Sequence, residues 1–68
     1  MTLNYEKTLL NNLTNQVEMV KSKPEALTLF STLSVWEYKL LKDSDPEVRS
    51  FGYKIQSLKL KLEKYILG

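Results

Sequence analysis

The chain contains no cysteine and no histidine among its 68 residues, and only two glycines, two prolines and one arginine. Each shortage removes a class of protein. Without cysteine there is no disulfide, and without either residue there is no thiolate or imidazole to hold a structural zinc. The usual nucleophile and acid–base sets draw on the same two side chains, and neither a glycine-rich phosphate loop nor a G-x-S-x-G elbow occurs. No run approaches the roughly 20 apolar residues that span a bilayer. The opening stretch, MTLNYEKTLLNN, has neither a basic leader nor an apolar signal core. The expectation is a non-catalytic, cytoplasmic protein off the membrane, with no metal, cofactor or small-molecule substrate.

What is present is the composition of a globular domain, 43% hydrophobic and 26% charged. Its length allows one domain, residues 1–68. A chain this short buries only about 60% of the surface it exposes when unfolded, so its core is thin. With disulfides and metals excluded, stability must come from helix packing, alone or with a partner. The net charge of +2 is unevenly spread: residues 1–45 hold five lysines and six acids, whereas residues 46–68 hold five basic residues and two acids. Nine of the ten basic residues are lysine. Lysine is a hydrated point charge and a poorer bidentate reader of phosphate than arginine, which weighs against a dedicated nucleic-acid site.

Three helical patterns follow one another, at about residues 3–21, 23–42 and 46–67. In the first, Thr2 can cap a stripe of Leu3, Leu10, Leu13, Val17 and Val20, which Tyr5 and Leu9 widen. Its other face, Asn4, Thr8, Asn11, Asn12 and Asn15, is polar, nearly uncharged and poor in helix propensity. A solvated face explains it better than a hydrogen-bonding surface. The second helix opens at Ser22-Lys23-Pro24-Glu25, a capping-box pattern with proline tolerated in the first turn. Ala26, Leu29, Leu33, Trp36 and Leu40 form its seam, broadened by Phe30 and Leu41. Glu37 falls inside that arc, where a carboxylate must find a partner, reach the end of the bundle or be protonated. A structural role, or exposure by snorkelling near the end of the bundle, is the expectation.

Asp45, Pro46 and Glu47 supply an N-cap, a first-position proline and a first-turn acid, the strongest helix start in the chain. The segment LLKDSDPEVRSFGYKI, Leu40 to Ile55, resembles the inter-helix turn and second-helix start of a HEAT repeat. The resemblance implies an antiparallel hairpin and no activity. A lone repeat cannot bury its own face, and there is no second copy.

The third helix carries Val48, Phe51, Ile55, Leu58, Leu62 and Tyr65 at steps of three and four, extended by Ile66. Burying six such side chains contributes about 1.5 to 3 kcal/mol each before entropy is subtracted. Gly52 interrupts the helix at about 0.5 to 1 kcal/mol relative to alanine, a sign of close approach by another backbone, within the bundle or from a partner.

A second stripe, Tyr53, Leu60 and Leu67, recurs every seven residues away from that seam, with Arg49 in line. A three-helix bundle leaves such a stripe in solvent, so it is the candidate docking surface for a partner protein or a second copy of the chain, with Gly52 and the asparagine face secondary. Beside the seam, Lys54, Lys61 and Lys64 align with Ser50 and Ser57 and could track a phosphate backbone, though a solvated flank is the commoner meaning. A helix-turn-helix across the second connection would open its recognition helix with Glu47, facing phosphates with acid. Asp43, Asp45 and Glu47 match the start of a calcium loop, but Val48 and Lys54 stand where glycine and a bidentate glutamate are needed, and capping explains the acids better.

The sequence therefore predicts an all-α fold, a small antiparallel three-helix bundle with its C-terminal helix longest. It acts as a protein–protein interaction module: an accessory subunit, adaptor or inhibitor of a larger assembly, or a homodimer. Weak nucleic-acid binding through Lys54, Lys61 and Lys64 is the alternative.

Overall fold

The computed structural model describes residues 4–67. The expectations placed on Thr2, Leu3 and Gly68 lie outside that range. Three helices are present, α1 (Asn4–Met19), α2 (Lys23–Leu41) and α3 (Pro46–Leu67). The longest is α3, as its uninterrupted period predicts.

The connections show why the chain breaks where it does. Ser22 has extended backbone angles, and its hydroxyl accepts from the Glu25 amide at 3.5 Å. The Glu25 carboxylate reaches back to the Lys21 amide at 3.0 Å and accepts from the Ser22 hydroxyl at 3.2 Å. The reciprocal box therefore closes one residue earlier than its textual pattern implies, on Lys21. At the second turn the Asp45 carboxylate accepts from the Glu47 amide at 2.9 Å, and the Asp43 carboxylate accepts from the Asp45 amide at 2.8 Å. No left-handed residue ends α2. Instead the Lys42 and Asp43 amides turn back onto the Leu40 carbonyl, and the Arg49 guanidinium donates to the Asp43 and Ser44 carbonyls of the turn at 2.9 and 3.1 Å.

α2 and α3 form the closest pair, and α1 rests mainly on α3. Leu41 of α2 lies over Gly52 of α3, while farther along Glu37 meets Lys59, so α3 runs back along α2 and the two are antiparallel. The Tyr5 and Trp36 rings lie 6.2 Å apart, tilted by 57°, and Val20, just past the other end of α1, shares a groove with Leu29. α1 is thus antiparallel to α2 and parallel to α3.

The core joins Leu13, Val17 and Val20 to Ala26, Leu29, Leu33 and Leu40 of α2 and Val48, Phe51, Ile55, Leu58 and Leu62 of α3. Leu33, Ile55 and Leu62 are the largest fully enclosed side chains. Leu9, Leu10, Phe30, Trp36 and Ile66 pack around them. Three expectations need correction. α1 ends at Met19, before Lys21, with the Val20 amide turning back onto the Val17 carbonyl. Tyr65 is 45% exposed and Ile66 takes its place against the core, because the seam drifts around α3 over six turns. Tyr5 is 63% exposed and contributes a ring face to Trp36, not core volume.

Candidate functional site

Gly52 is buried. A Cβ built there would sit 2.8 Å from both Cγ and Cδ2 of Leu41 and 3.3 Å from the Leu41 backbone nitrogen. The close approach that its position implies occurs within the bundle, between the end of α2 and the start of α3. Gly52 consequently belongs to the fold and cannot serve as a secondary contact for a partner.

Glu37 finds its partner 22 residues away. Lys59 Nζ donates to Glu37 Oε1 at 2.7 Å, with the two side chains 20% and 15% exposed, and the same ammonium lies 4.8 Å from the centre of the Phe30 ring. The Lys59 hydrogen bond holds the Glu37 carboxyl below its ordinary value, against an opposing push from burial and with help from Gln56. In the sequence Lys59 registers only as a charge. Its structural use has one signal, the unmatched acid in the arc of α2, but periodicity does not give the register between two helices.

Once the core and this ion pair are in place, the stripe on α3 is uncovered. Tyr53, Leu60 and Leu67 are 59%, 63% and 80% exposed. They hang on the helix that supplies the largest share of the core, so their backbone is held by residues on the opposite side. Arg49, at the head of the stripe, is half-buried and its guanidinium is occupied at the turn. Leu60 also walls a shallow hollow of about 290 Å³ between α2 and α3, lined by Phe30, Glu37, Gln56, Lys59 and Glu63. On α2, Leu27, Val35 and Tyr38 are exposed as well.

Lys54, Lys61 and Lys64 are all exposed, Lys64 beside this stripe and Lys54 and Lys61 farther round the helix toward the core seam. The Lys54 ammonium lies 5.1 Å from the centre of the Phe51 ring. Among the described residues the Lys59 to Glu37 pair is the sole ion pair within 4.0 Å, so none of the three lysines has a carboxylate partner there. Asn4, Thr8, Asn11, Asn12 and Asn15 are exposed together on α1.

A larger open groove of about 580 Å³ runs between the end of α1 and the start of α2, lined by Gln16, Met19, Val20, Pro24, Glu25, Thr28, Leu29 and Thr32. It has no counterpart in the sequence pattern. Among the described residues no cluster of three acidic side chains could hold a metal, and no helix is long and apolar enough to cross a membrane. Asp43 and Asp45 are used as backbone acceptors at the turn. Compared with protein families, with curated proteins and with solved structures, the chain matches none.

Proposed function

We propose that the protein is a non-catalytic interaction module, a small accessory subunit, adaptor or inhibitor that docks on a larger assembly through Tyr53, Leu60 and Leu67, with Arg49 at the head of the stripe. The observation that carries this reading is the exposure of three large apolar side chains on the most firmly packed helix. They have no duty in the core, yet they are spaced by seven along a rigid element. Single exposed apolar residues are common on surfaces, whereas three in line on a rigid helix share the i, i+7 spacing of helix-in-groove anchors. The aromatic member adds contact area with little side-chain entropy to lose on binding.

Leu60→Glu is the test. Because Leu60 is solvent-facing, the variant keeps the wild-type unfolding midpoint, within about 0.5 kcal/mol. Affinity capture from the native host with each form should then recover a protein with the wild type that the variant loses. Identical captured sets, with both forms folded, would overturn the proposal.

A further inference from the structure

We infer that the outer groove between α1 and α3, a surface separate from the docking stripe, binds the phosphate backbone of a nucleic acid through Lys7, Lys54 and Lys61. The packing brings these three together from two helices. α3 turns Gly52 and Lys59 toward α2, so at 100° per residue Lys54 and Lys61 fall on the other side of its core seam, beside α1. α1 turns Tyr5, Gln16 and Met19 toward α2, which puts Lys7 on the opposite side of its seam, beside α3. The levels agree as well. Tyr5 meets Trp36, and the adjacent Glu37 meets Lys59, so α1 begins alongside the middle of α3 and Lys7 stands between the levels of Lys54 and Lys61. All three are exposed, and none has a carboxylate of the described residues within 4.0 Å. Glu47 heads the same line of α3 but lies beyond the start of α1, and Glu18 follows Lys7 three turns later on α1. Like charges gathered at one groove repel each other in the free protein, and an anion relieves that cost.

The surroundings of the lysines select the anion. Asn4, Asn11, Asn15, Ser50 and Ser57 are exposed on this face, and such uncharged donors share phosphate and sugar contacts with lysine in nucleic-acid complexes. The asparagines stand where they weaken α1 as a helix, a cost that a binding role accounts for. A membrane surface would call for large apolar side chains among the lysines, and an acidic protein for an apolar centre inside a charged rim. Of such side chains this face exposes Tyr65. The large apolar side chains of α3 that are exposed elsewhere, Tyr53, Leu60 and Leu67, belong to the stripe.

The test uses the full 68-residue chain and a labelled single-stranded oligonucleotide of about 20 nucleotides. Fluorescence anisotropy should show binding at about 50 mM salt that weakens roughly 20-fold by about 200 mM, as three phosphate contacts to a single strand require. Lys54→Glu with Lys61→Glu should weaken it at least about tenfold and Lys7→Glu alone at least about threefold, each with an unchanged circular dichroism spectrum. Lys42→Glu, the same charge change on the outer side of α2, and Leu60→Glu on the stripe should leave it within about twofold. No binding at the lower salt overturns the inference. Equal losses in Lys7→Glu and Lys42→Glu would mean attraction by overall charge, and a loss confined to Lys54 and Lys61 would remove α1 from the site; either result overturns the two-helix groove. Equal binding of polyglutamate, or binding of phosphatidylserine vesicles without the oligonucleotide, assigns the groove to another anion and overturns the nucleic-acid ligand. The capture experiment on Leu60→Glu is independent of all these outcomes.

Discussion

The α2–α3 hairpin and α1 solve the same problem with unequal means. The hairpin has Leu41 set into the space left by Gly52, a partly buried ion pair joining its two members, and nine of the twelve buried apolar side chains among the described residues. α1 supplies Leu13 and Val17, and Val20 follows it in the connection to α2. The helix α1 has four asparagines in its sixteen residues, no basic residue in its last turn, and Glu18 near the negative end of its dipole. It also leaves an open groove beside α2. In a thin-cored protein, order is carried by the pair with specific contacts, and the third helix is held mainly by what it covers.

The largest effects should fall on the hairpin. Ile55→Ala removes three methyl or methylene groups from an enclosed site and should destabilise by about 3 to 4 kcal/mol, whereas Val17→Ala should cost about 2 kcal/mol. A chain of this length has about 3 to 10 kcal/mol of stability in all, so the first change is expected to leave the protein partly unfolded at 25 °C. Urea unfolding of both variants checks the contrast. Equal losses would mean that α1 is as firmly integrated as the hairpin.

Next in size is the contact between Gly52 and Leu41. Gly52→Ala should destabilise by about 1 to 2 kcal/mol, since the overpacking penalty exceeds the gain in helix propensity. In a Leu41→Ala background the clash with the side chain is gone and only the 3.3 Å approach to the backbone nitrogen of residue 41 remains, so the loss should shrink to within about 0.5 kcal/mol of zero. The double-mutant cycle measures how much of the hairpin's advantage comes from that close approach. A coupling of zero removes it from the account.

Much of this division is legible in the amino-acid sequence. Ser22 with Glu25, and Asp45 with Pro46, mark helix starts through bonds that span three residues or fewer, so local sequence suffices. The uncovered stripe follows by subtraction, because residues opposite a continuous seam have nothing left to cover them. What is not legible depends on how two helices lie against each other. Lys59 cannot be matched to Glu37 without the register, and Tyr65 and Ile66 compete for one place at the end of a drifting seam. Leu27, Val35 and Tyr38 are hidden because apolar residues extend well around α2, and periodicity alone does not say which of them a neighbour will cover. The groove beside α1 reflects loose packing, which leaves no sequence mark.

The ion pair gives a pH-dependent reading of the hairpin. Glu37 is held below its ordinary value of 4.5, chiefly by the Lys59 hydrogen bond. A carboxylate whose folded value is depressed stabilises the protein above its unfolded value and loses that contribution as pH falls through the folded one. Lys59→Met, which leaves the acid largely enclosed and unpaired, should destabilise by about 1 to 2 kcal/mol at pH 7, between the values for exposed and buried pairs. The gap between wild type and Lys59→Met should narrow as pH drops below about 4.5, where Glu37 takes up its proton. Chemical denaturation at pH 7 and pH 3 measures it. A gap that does not change with pH would show that Lys59 acts through its packing on Phe30 and not through charge.

The smallest effect probes α1 alone. Replacing Asn11 and Asn15 by alanine touches no contact, because both are exposed, and should stabilise the helix by about 0.5 kcal/mol each through propensity. Where that gain appears is the informative part. If α1 opens separately from the hairpin, amide exchange should slow by roughly fivefold in α1 while α2 and α3 keep their rates. If α1 opens only with the whole molecule, protection should rise by the same factor in all three helices. The second pattern would break the contrast between a self-sufficient hairpin and a loosely held cover, because it would make α1 part of one cooperative unit despite its few buried residues.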